Sequence, residues 1–440
     1  MSRTGCGSTV MRRRVSTDAV IFRPPACKSG LQRALLLAFL SEGETVLALP
    51  SDEPLAEDPG IVLNIVKTLG AAVSQEQGTV RVQGSGWPRT PCERLFLGMN
   101  GTALRCLTAF VGCLGGSVYF RGARALRRRS IEPLPELLMA RGAAFTFAKE
   151  PGSVPFHLQA PTPVAPLDFE VDASRSSQPA TGLLMALAGS KYGGRVVVRG
   201  PLGYLPMTCA WLAKFGCEVE CDSSAGATTY SVPAAELRAG GAVSIPGDPS
   251  ALAWALAAAA ARRDEGEIPT DDSLGHPDHA MLDHLRALGL RVRTSDSGVA
   301  VSGEPNGGDY APLPLDDHPD SFPPLVSLLT TIPGRHRLGS TKLRGKESDR
   351  IAVLGRGLAR FGFDVTEEAD VLAFTGVHPG SLSVEPGMRL DPKGDHRMAM
   401  ALALIAKLHN LEVRVRDTSC VAKSWPGFWG WLAQLDPQAG

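Results

Sequence analysis

Leu69-Gly70-Ala71-Ala72-Val73 ends a helical run of apolar positions on a single glycine and opens an alternating, strand-like run. The junction recurs as Arg141-Gly142-Ala143-Ala144-Phe145, Phe215-Gly216-Cys217-Glu218-Val219, Leu288-Gly289-Leu290-Arg291-Val292 and Phe361-Gly362-Phe363-Asp364-Val365. The glycines fall at steps of about 73 residues, and self-similarity at a fixed period marks a repeated supersecondary unit. Glycine at that point suits the left-handed turn that closes a helix before the chain reverses. Helix–glycine–strand junctions are common in α/β proteins, but even spacing over so much of one chain is hard to obtain by chance. The length beyond Gly362 accommodates one more unit, so the pattern predicts about six αβ units.

Six such units are too many for one core, and three per domain is the natural partition. Ala239-Gly240-Gly241-Ala242, just before the strand-like Val243 to Ile245, reads as one crossover. The stretch from Phe22 to Pro25 reads as a second. Residues 23–242 are then expected in one domain and residues 1–22 with 243–440 in the other, with function in the cleft between them. The composition is that of a soluble globular protein: 44% hydrophobic, 20% charged and formally neutral. A neutral chain is a poor wrapper of nucleic acid or anionic membrane, and no apolar run is long enough to span a bilayer. The alanine-rich Ala251 to Ala261 is short and closed by Arg262 and Arg263. Nine scattered cysteines, with Cys217 and Cys221 lacking a second pair nearby, read as reduced thiols of a cytoplasmic protein rather than a zinc site. Arg12-Arg13-Arg14 sits in a small, polar N-terminal stretch without a signal peptide's apolar core, and reads as a tail.

Several helix starts carry anion-binding chemistry. Lys28-Ser29 precedes the apolar run Leu31 to Leu40, with Arg33 one turn in. A cation and a hydroxyl there add to the free N–H groups and the helix dipole, although Ser29 could serve only as a cap. Gly101-Thr102 precedes Arg105, Arg127-Arg128-Arg129 follows, and Ser176-Ser177-Gln178 opens another helix. Lys346-Glu347-Ser348-Asp349-Arg350 precedes Ile351, Leu354 and Leu358 at helical spacing, and spacing alone favours a capping cluster there. Asp395-His396-Arg397 opens a further helix, Asp320 stands in a proline-rich stretch after His318, and Lys423 lies in the last unit. Repeated anion-friendly helix starts suggest a ligand with more than one phosphate or carboxylate.

In order and spacing, these blocks resemble the 5-enolpyruvylshikimate-3-phosphate synthase family of enolpyruvyl transferases, from Pro25 to about Leu435. The resemblance implies an α/β fold, a two-domain inverse α/β barrel with three βαβαββ units per domain, whose N-terminal strand joins the C-terminal domain. It implies two small-molecule partners, phosphoenolpyruvate and a phosphorylated alcohol, and neither cofactor nor metal; a monomer is expected. Lys28, Gly101, Arg129, Gln178, Arg350, Arg397 and Lys423 match the phosphoenolpyruvate site. Ser29, Arg33, Thr102, Ser176, Ser177, Tyr204, Asp320, Lys342 and Lys346 match the acceptor site. The resemblance puts Lys28, Asp320, Glu347, His396 and Lys423 in catalysis. Addition and then elimination is implied: an acid protonates the methylene carbon, the hydroxyl attacks C2 with Asp320 as base, and phosphate leaves.

The acceptor side departs from the family. Met99-Asn100 replaces Asn-Ala before the Gly-Thr, Cys106 replaces a proline, Pro201 a serine, and Lys342 an asparagine. A proline cannot replace a hydroxyl donor. The reading therefore favours a specialised paralogue acting on another phosphorylated alcohol, as with enzymes that enolpyruvylate the 3′-hydroxyl of UMP in nucleoside-antibiotic pathways. The alternative is the ordinary shikimate-pathway synthase. A non-catalytic relative is disfavoured by the joint retention of Lys28, Arg129, Glu347, Arg350, His396, Arg397 and Lys423. A cell-wall-type UDP-sugar transferase fits poorly, because Cys106 reads as part of a helix rather than of a catalytic loop.

Overall fold

The computed structural model describes residues 22–87, 94–270, 274–308 and 315–435. The expected N-terminal strand and the Arg12-Arg13-Arg14 tail lie outside the described residues. All five repeat glycines take positive φ: 111° at Gly70, 88° at Gly142, 80° at Gly216, 85° at Gly289 and 97° at Gly362. Each ends a helix where a side chain would strain the turn, which is why the period survives as glycine.

The described strands form six sheets, one for each unit that the glycine period predicts. In one sheet Arg94–Phe96 runs parallel to Gly116–Arg121, which pairs antiparallel with Phe156–Ala160 and through it with Ala144–Phe147. The next repeats that order with Leu167–Asp172, Gly194–Arg199, Ala227–Val232 and Glu220–Ser224. In the first sheet the parallel partner of Glu42–Ala48 comes from far along the chain, as Gly241–Ser244. That strand completes the first unit and closes the three units on themselves.

Helices lie inside and sheets outside. Lys28–Leu40, Gly101–Leu114 and Gln178–Ala188 are buried along most of their length, as a helix apolar on all sides must be. Strands such as Ala227–Val232 instead alternate between buried and half-exposed residues, so one face of each sheet meets solvent. Pro249–Arg262, Phe322–Leu329 and His396–Leu408 form the corresponding interior of the C-terminal half. No helix among the described residues is long and apolar enough to cross a membrane.

Buried apolar side chains fall into two clusters, one from Leu31 to Ile245 with Leu274, the other from Ala251 to Leu435 with Phe22. They part between Ile245 and Ala251, with Val243 and Ile245 packed in the first cluster. The connecting segments run side by side: the Cys27 amide donates to the Pro246 carbonyl (2.9 Å), and the Asp248 amide to the Pro25 carbonyl (2.9 Å). The polypeptide crosses twice at one place, so the halves meet along a cleft beside this double link.

Candidate active site

Five helix N-termini converge on one cavity in that cleft. Lys28 and Ser29, Gly101 and Thr102, Gln178, Arg350, and His396 with Arg397 all line it, and each lies in the first turn of its helix. Their free N–H groups and aligned dipoles favour anions there. The caps are supplied from outside the cavity: Cys27 Sγ accepts from the Gly30 amide (3.3 Å), and Asn100 Oδ1 from Ala103 (2.9 Å). Asp349 Oδ1 accepts from Ala352 (3.0 Å), and Asp395 Oδ1 from Arg397 (3.0 Å). Capping in the Lys346–Arg350 block therefore falls to Asp349, leaving Lys346 and Glu347 to line the cavity. Ser29 likewise is not the cap of its helix. Gly101 admits the close approach of Arg129, whose Cζ would lie 2.6 Å from any added Cβ.

Two part-buried carboxylates organise the cations. Asp320 pairs with Arg350 (2.7 Å), Arg397 (3.0 Å) and Lys346 (3.7 Å). Glu347 pairs with Lys423 (2.9 Å), Arg350 (3.1 Å) and Arg129 (3.3 Å). Arg350 Nε reaches a third acid, Asp395 (3.0 Å). Lys28 pairs with Asp58 (3.4 Å). The Arg129–Glu347 pair and the bond from Lys423 Nζ to the Met99 carbonyl (3.3 Å) tie the two halves together across the cleft. The cavity has a volume of about 50 Å³.

Protonation follows from this packing. Burial alone would raise the Asp320 pKa, but Arg397, Lys346 and Arg350 outweigh it and hold the carboxyl well below its usual range. The same contest at Glu347 is decided by Lys423, Arg129 and Arg350, again well below the carboxylate range. Burial lowers Lys346 to about 8, with Asp320 partly opposing. Lys423, despite burial, is raised by Glu347 and stays protonated at neutral pH. Burial and the Lys28 cation keep His396 neutral, and both its buried ring nitrogens lack a hydrogen-bond partner among the described residues. Cys106 lies buried within Gly101–Leu114, its thiol pushed up to about 11, unsuited to nucleophilic work.

Most of the residues read from the sequence meet here. Ser29, Arg33, Thr102, Gln178, Tyr204, Asp320, Lys346 and Glu347 line the cavity with the helix-start residues, and Lys423 joins through Glu347. Gln178 Nε2 donates to Thr102 Oγ1 (3.1 Å), and Arg33 NH1 to the Ser29 carbonyl (2.9 Å). Ser176, Ser177 and Lys342 are not among the lining residues. Ser176 Oγ accepts from the Gln178 amide (3.2 Å), whereas Lys342 is buried in the field of Asp316 and Asp317. Sequence reading missed Asp58, the partner of Lys28, and gave no site role to Arg105, which donates to Gln178 Oε1 (2.7 Å). Arg105 was legible as the arginine one turn after Gly101; nothing local marks Asp58, which reads as an ordinary first-turn acid.

The chain matches the family model of EPSP synthase (3-phosphoshikimate 1-carboxyvinyltransferase) over residues 15–432. It is 32% identical over 419 residues to the 3-phosphoshikimate 1-carboxyvinyltransferase of Thermococcus kodakarensis, covering 93% of this chain and 96% of that one. Identity to the enzyme of that name from Syntrophobacter fumaroxidans is also 32%, with the same coverage. Among solved structures, an EPSP synthase from Acinetobacter baumannii superposes with a TM-score of 0.73 at 23% identity, covering 94% of this chain and 95% of that one. The enolpyruvyl transferase NikO from Streptomyces tendae superposes with a TM-score of 0.66 at 17% identity, covering 94% of each chain. At these identities the two structures speak for the fold alone.

Proposed function

The chain belongs to the EPSP synthase family of carboxyvinyltransferases, and from that premise we propose that its cleft moves the enolpyruvyl group of phosphoenolpyruvate onto a hydroxyl of a phosphorylated small molecule. One observation carries this reading: Lys28, Arg129, Arg350, Arg397 and Lys423 gather with five helix N-termini around the two carboxylates Asp320 and Glu347. Such a site holds a doubly anionic donor and stabilises departing phosphate with fixed positive charge.

The ion pairs suggest how the acids are activated. An arriving phosphate and carboxylate compete with Glu347 for Arg129 and Lys423, and with Asp320 for Arg397 and Lys346. Each carboxylate that loses a cation becomes more basic. Glu347, so released, takes up a proton and delivers it to the methylene carbon, while Asp320 takes the proton of the acceptor hydroxyl as its oxygen bonds to C2. Elimination then breaks the bond between C2 and the phosphate oxygen, returns a methyl proton to the protein and regenerates the vinyl group. His396, neutral and unpartnered, is left to hydrogen-bond the bound anions.

For the acceptor we favour an alcohol phosphate other than shikimate 3-phosphate, with UMP the first to test. Support comes from the loop after Pro201. The Gly203 amide donates to Asp317 Oδ1 (2.8 Å), and an added Cβ on Gly203 would stand 2.9 Å from Ser177 Oγ. A carboxylate thus occupies a backbone donor beside the serine pair, where Pro201 offers no hydroxyl, and a phosphate there would meet fewer donors. Shikimate 3-phosphate is the second reading, supported by the names of the 32%-identical relatives. Phosphate release from phosphoenolpyruvate should be followed with shikimate 3-phosphate and with nucleoside monophosphates. Efficient turnover of shikimate 3-phosphate, at roughly 10⁴ M⁻¹s⁻¹ or better, overturns the specialised reading. Absence of phosphate release with every phosphorylated alcohol tested would count against enolpyruvyl transfer itself.

A further inference from the structure

The arginine run Arg127-Arg128-Arg129 serves two places. Arg129 lines the catalytic cavity, but Arg127 faces a separate open cleft of about 900 Å³ on the outer surface of the second sheet. Arg94, Ser117, Tyr119, Arg121 and His157 complete its polar lining, and no acid among the described residues lines it. Strand register explains the clustering: Arg94 pairs with Tyr119, and Tyr119 with His157, so these side chains share the solvent face while Val118 and Phe120 point to the core. Arg121 is two residues further along the same face, and Ser117 Oγ lies 2.8 Å from His157 Nε2. Arg127 comes from the short 3₁₀ turn Arg124–Arg128, pinned from beneath by the fully buried Leu126.

The two flanking sheets pair their strand arginines with acids. In the first sheet Arg81 pairs with Glu44 (3.3 Å). In the third, Arg195 pairs with Asp168 (2.8 Å) and Arg199 with Glu170 (2.7 Å). In the C-terminal half, Arg335 pairs with Asp364 (2.9 Å) and Arg337 with Glu368 (2.5 Å). Among the described residues, Arg94, Arg121 and Arg127 have no such acid, although they converge from three elements on a concave surface. Unpaired guanidinium groups that converge in this way match an anion with several charged oxygens, and a cleft of this size suits a small molecule.

We propose that this outer cleft is a second ligand site, distinct from the catalytic cavity, that binds a small molecule bearing two or more phosphoryl or carboxylate groups. Arg94, Arg121 and Arg127 hold its charges, and Tyr119 forms the wall. The turn carrying Arg127 ends on Arg129, so occupancy of this cleft bears on the phosphoenolpyruvate side of the cavity.

The test titrates inorganic pyrophosphate into three proteins by calorimetry: the unaltered chain, the Arg94→Ser/Arg121→Ser double variant and the cavity variant Arg397→Ala. The double variant should bind at the outer cleft about tenfold more weakly or worse, allowing for partial solvent screening. Arg397→Ala should retain that event. Arg127→Ser, from a different element, should reproduce the loss, and melting curves check that each variant folds. Equal pyrophosphate binding by the unaltered and double-variant proteins overturns the proposal. So does a loss confined to Arg397→Ala, or no binding to the unaltered chain.

Discussion

Replacing Arg350 by Met tests whether the cation network holds the C-terminal half together as well as shaping the site. The guanidinium is 1% exposed and donates to Asp320 (2.7 Å), Asp395 (3.0 Å) and Glu347 (3.1 Å). Met keeps much of the stem's volume but removes all three bonds. Asp320 retains Arg397 and Lys346, and Glu347 retains Lys423 and Arg129. Asp395, fully buried, keeps only neutral donors, the Ser348 hydroxyl at 3.1 Å and the Arg397 amide at 3.0 Å. A buried charge left without its partner costs about 3–5 kcal/mol. With a urea slope of roughly 2 kcal/mol per M, the midpoint should fall by about 2 M. Trp254, Trp425 and Trp431 lie in the second apolar cluster, so much of the tryptophan fluorescence reports the half concerned, the rest coming from Trp87 and Trp211 in the first. The pH dependence has a definite sign. Asp320 and Glu347 are held below their unfolded values, so they contribute stability above about pH 4 and lose it as pH falls through the folded values. Without Arg350 that contribution shrinks, so the gap between the proteins should be widest near neutrality and narrow in acid. A variant whose midpoint at pH 7.5 lies within about 0.3 M of the unaltered protein's would refute the reasoning.

Arg397→Ala should lower kcat/KM for phosphoenolpyruvate by about 2–5 kcal/mol of transition-state binding while the protein stays folded; near-normal turnover would remove Arg397 from the donor site. Lys346, with its pKa lowered to about 8, should lose its charge and weaken acceptor binding as pH rises past 8. The unfolded lysine binds more protons between about 8 and 10.4, so this residue's effect on stability runs the other way and rises with pH there. Lys346→Arg should abolish the alkaline limb of kcat/KM for the acceptor, and an unchanged limb would assign it to another group. Because Arg129–Glu347 already bridges the halves around a cavity of about 50 Å³, the cleft must part to admit phosphoenolpyruvate and acceptor, so the free protein should be at least as compact in small-angle scattering as the doubly liganded one; a clearly more compact liganded particle would argue against this closed arrangement.

The sequence determined the repeat and the chemistry at the helix starts. A glycine closing each of five helices is a local requirement, met wherever the chain must take positive φ, and so it can be read without knowing what packs where. Lys28-Ser29, Gly101-Thr102, Ser176-Ser177-Gln178, Lys346 to Arg350 and Asp395-His396-Arg397 were legible for the same reason, since dipole, free amides and neighbouring side chains all lie within one turn. Tertiary structure decided which of those groups face the cavity. It made Asp349 the cap and left Glu347 to Arg129, 218 positions away, and it kept Lys342 off the cavity lining beside Asp316 and Asp317. It supplied Asp58 to Lys28 and Arg105 to Gln178, and it fixed His396 as a neutral ring among cations. Charge pairing and desolvation depend on distances between units far apart in the chain, and only the packed fold sets those distances.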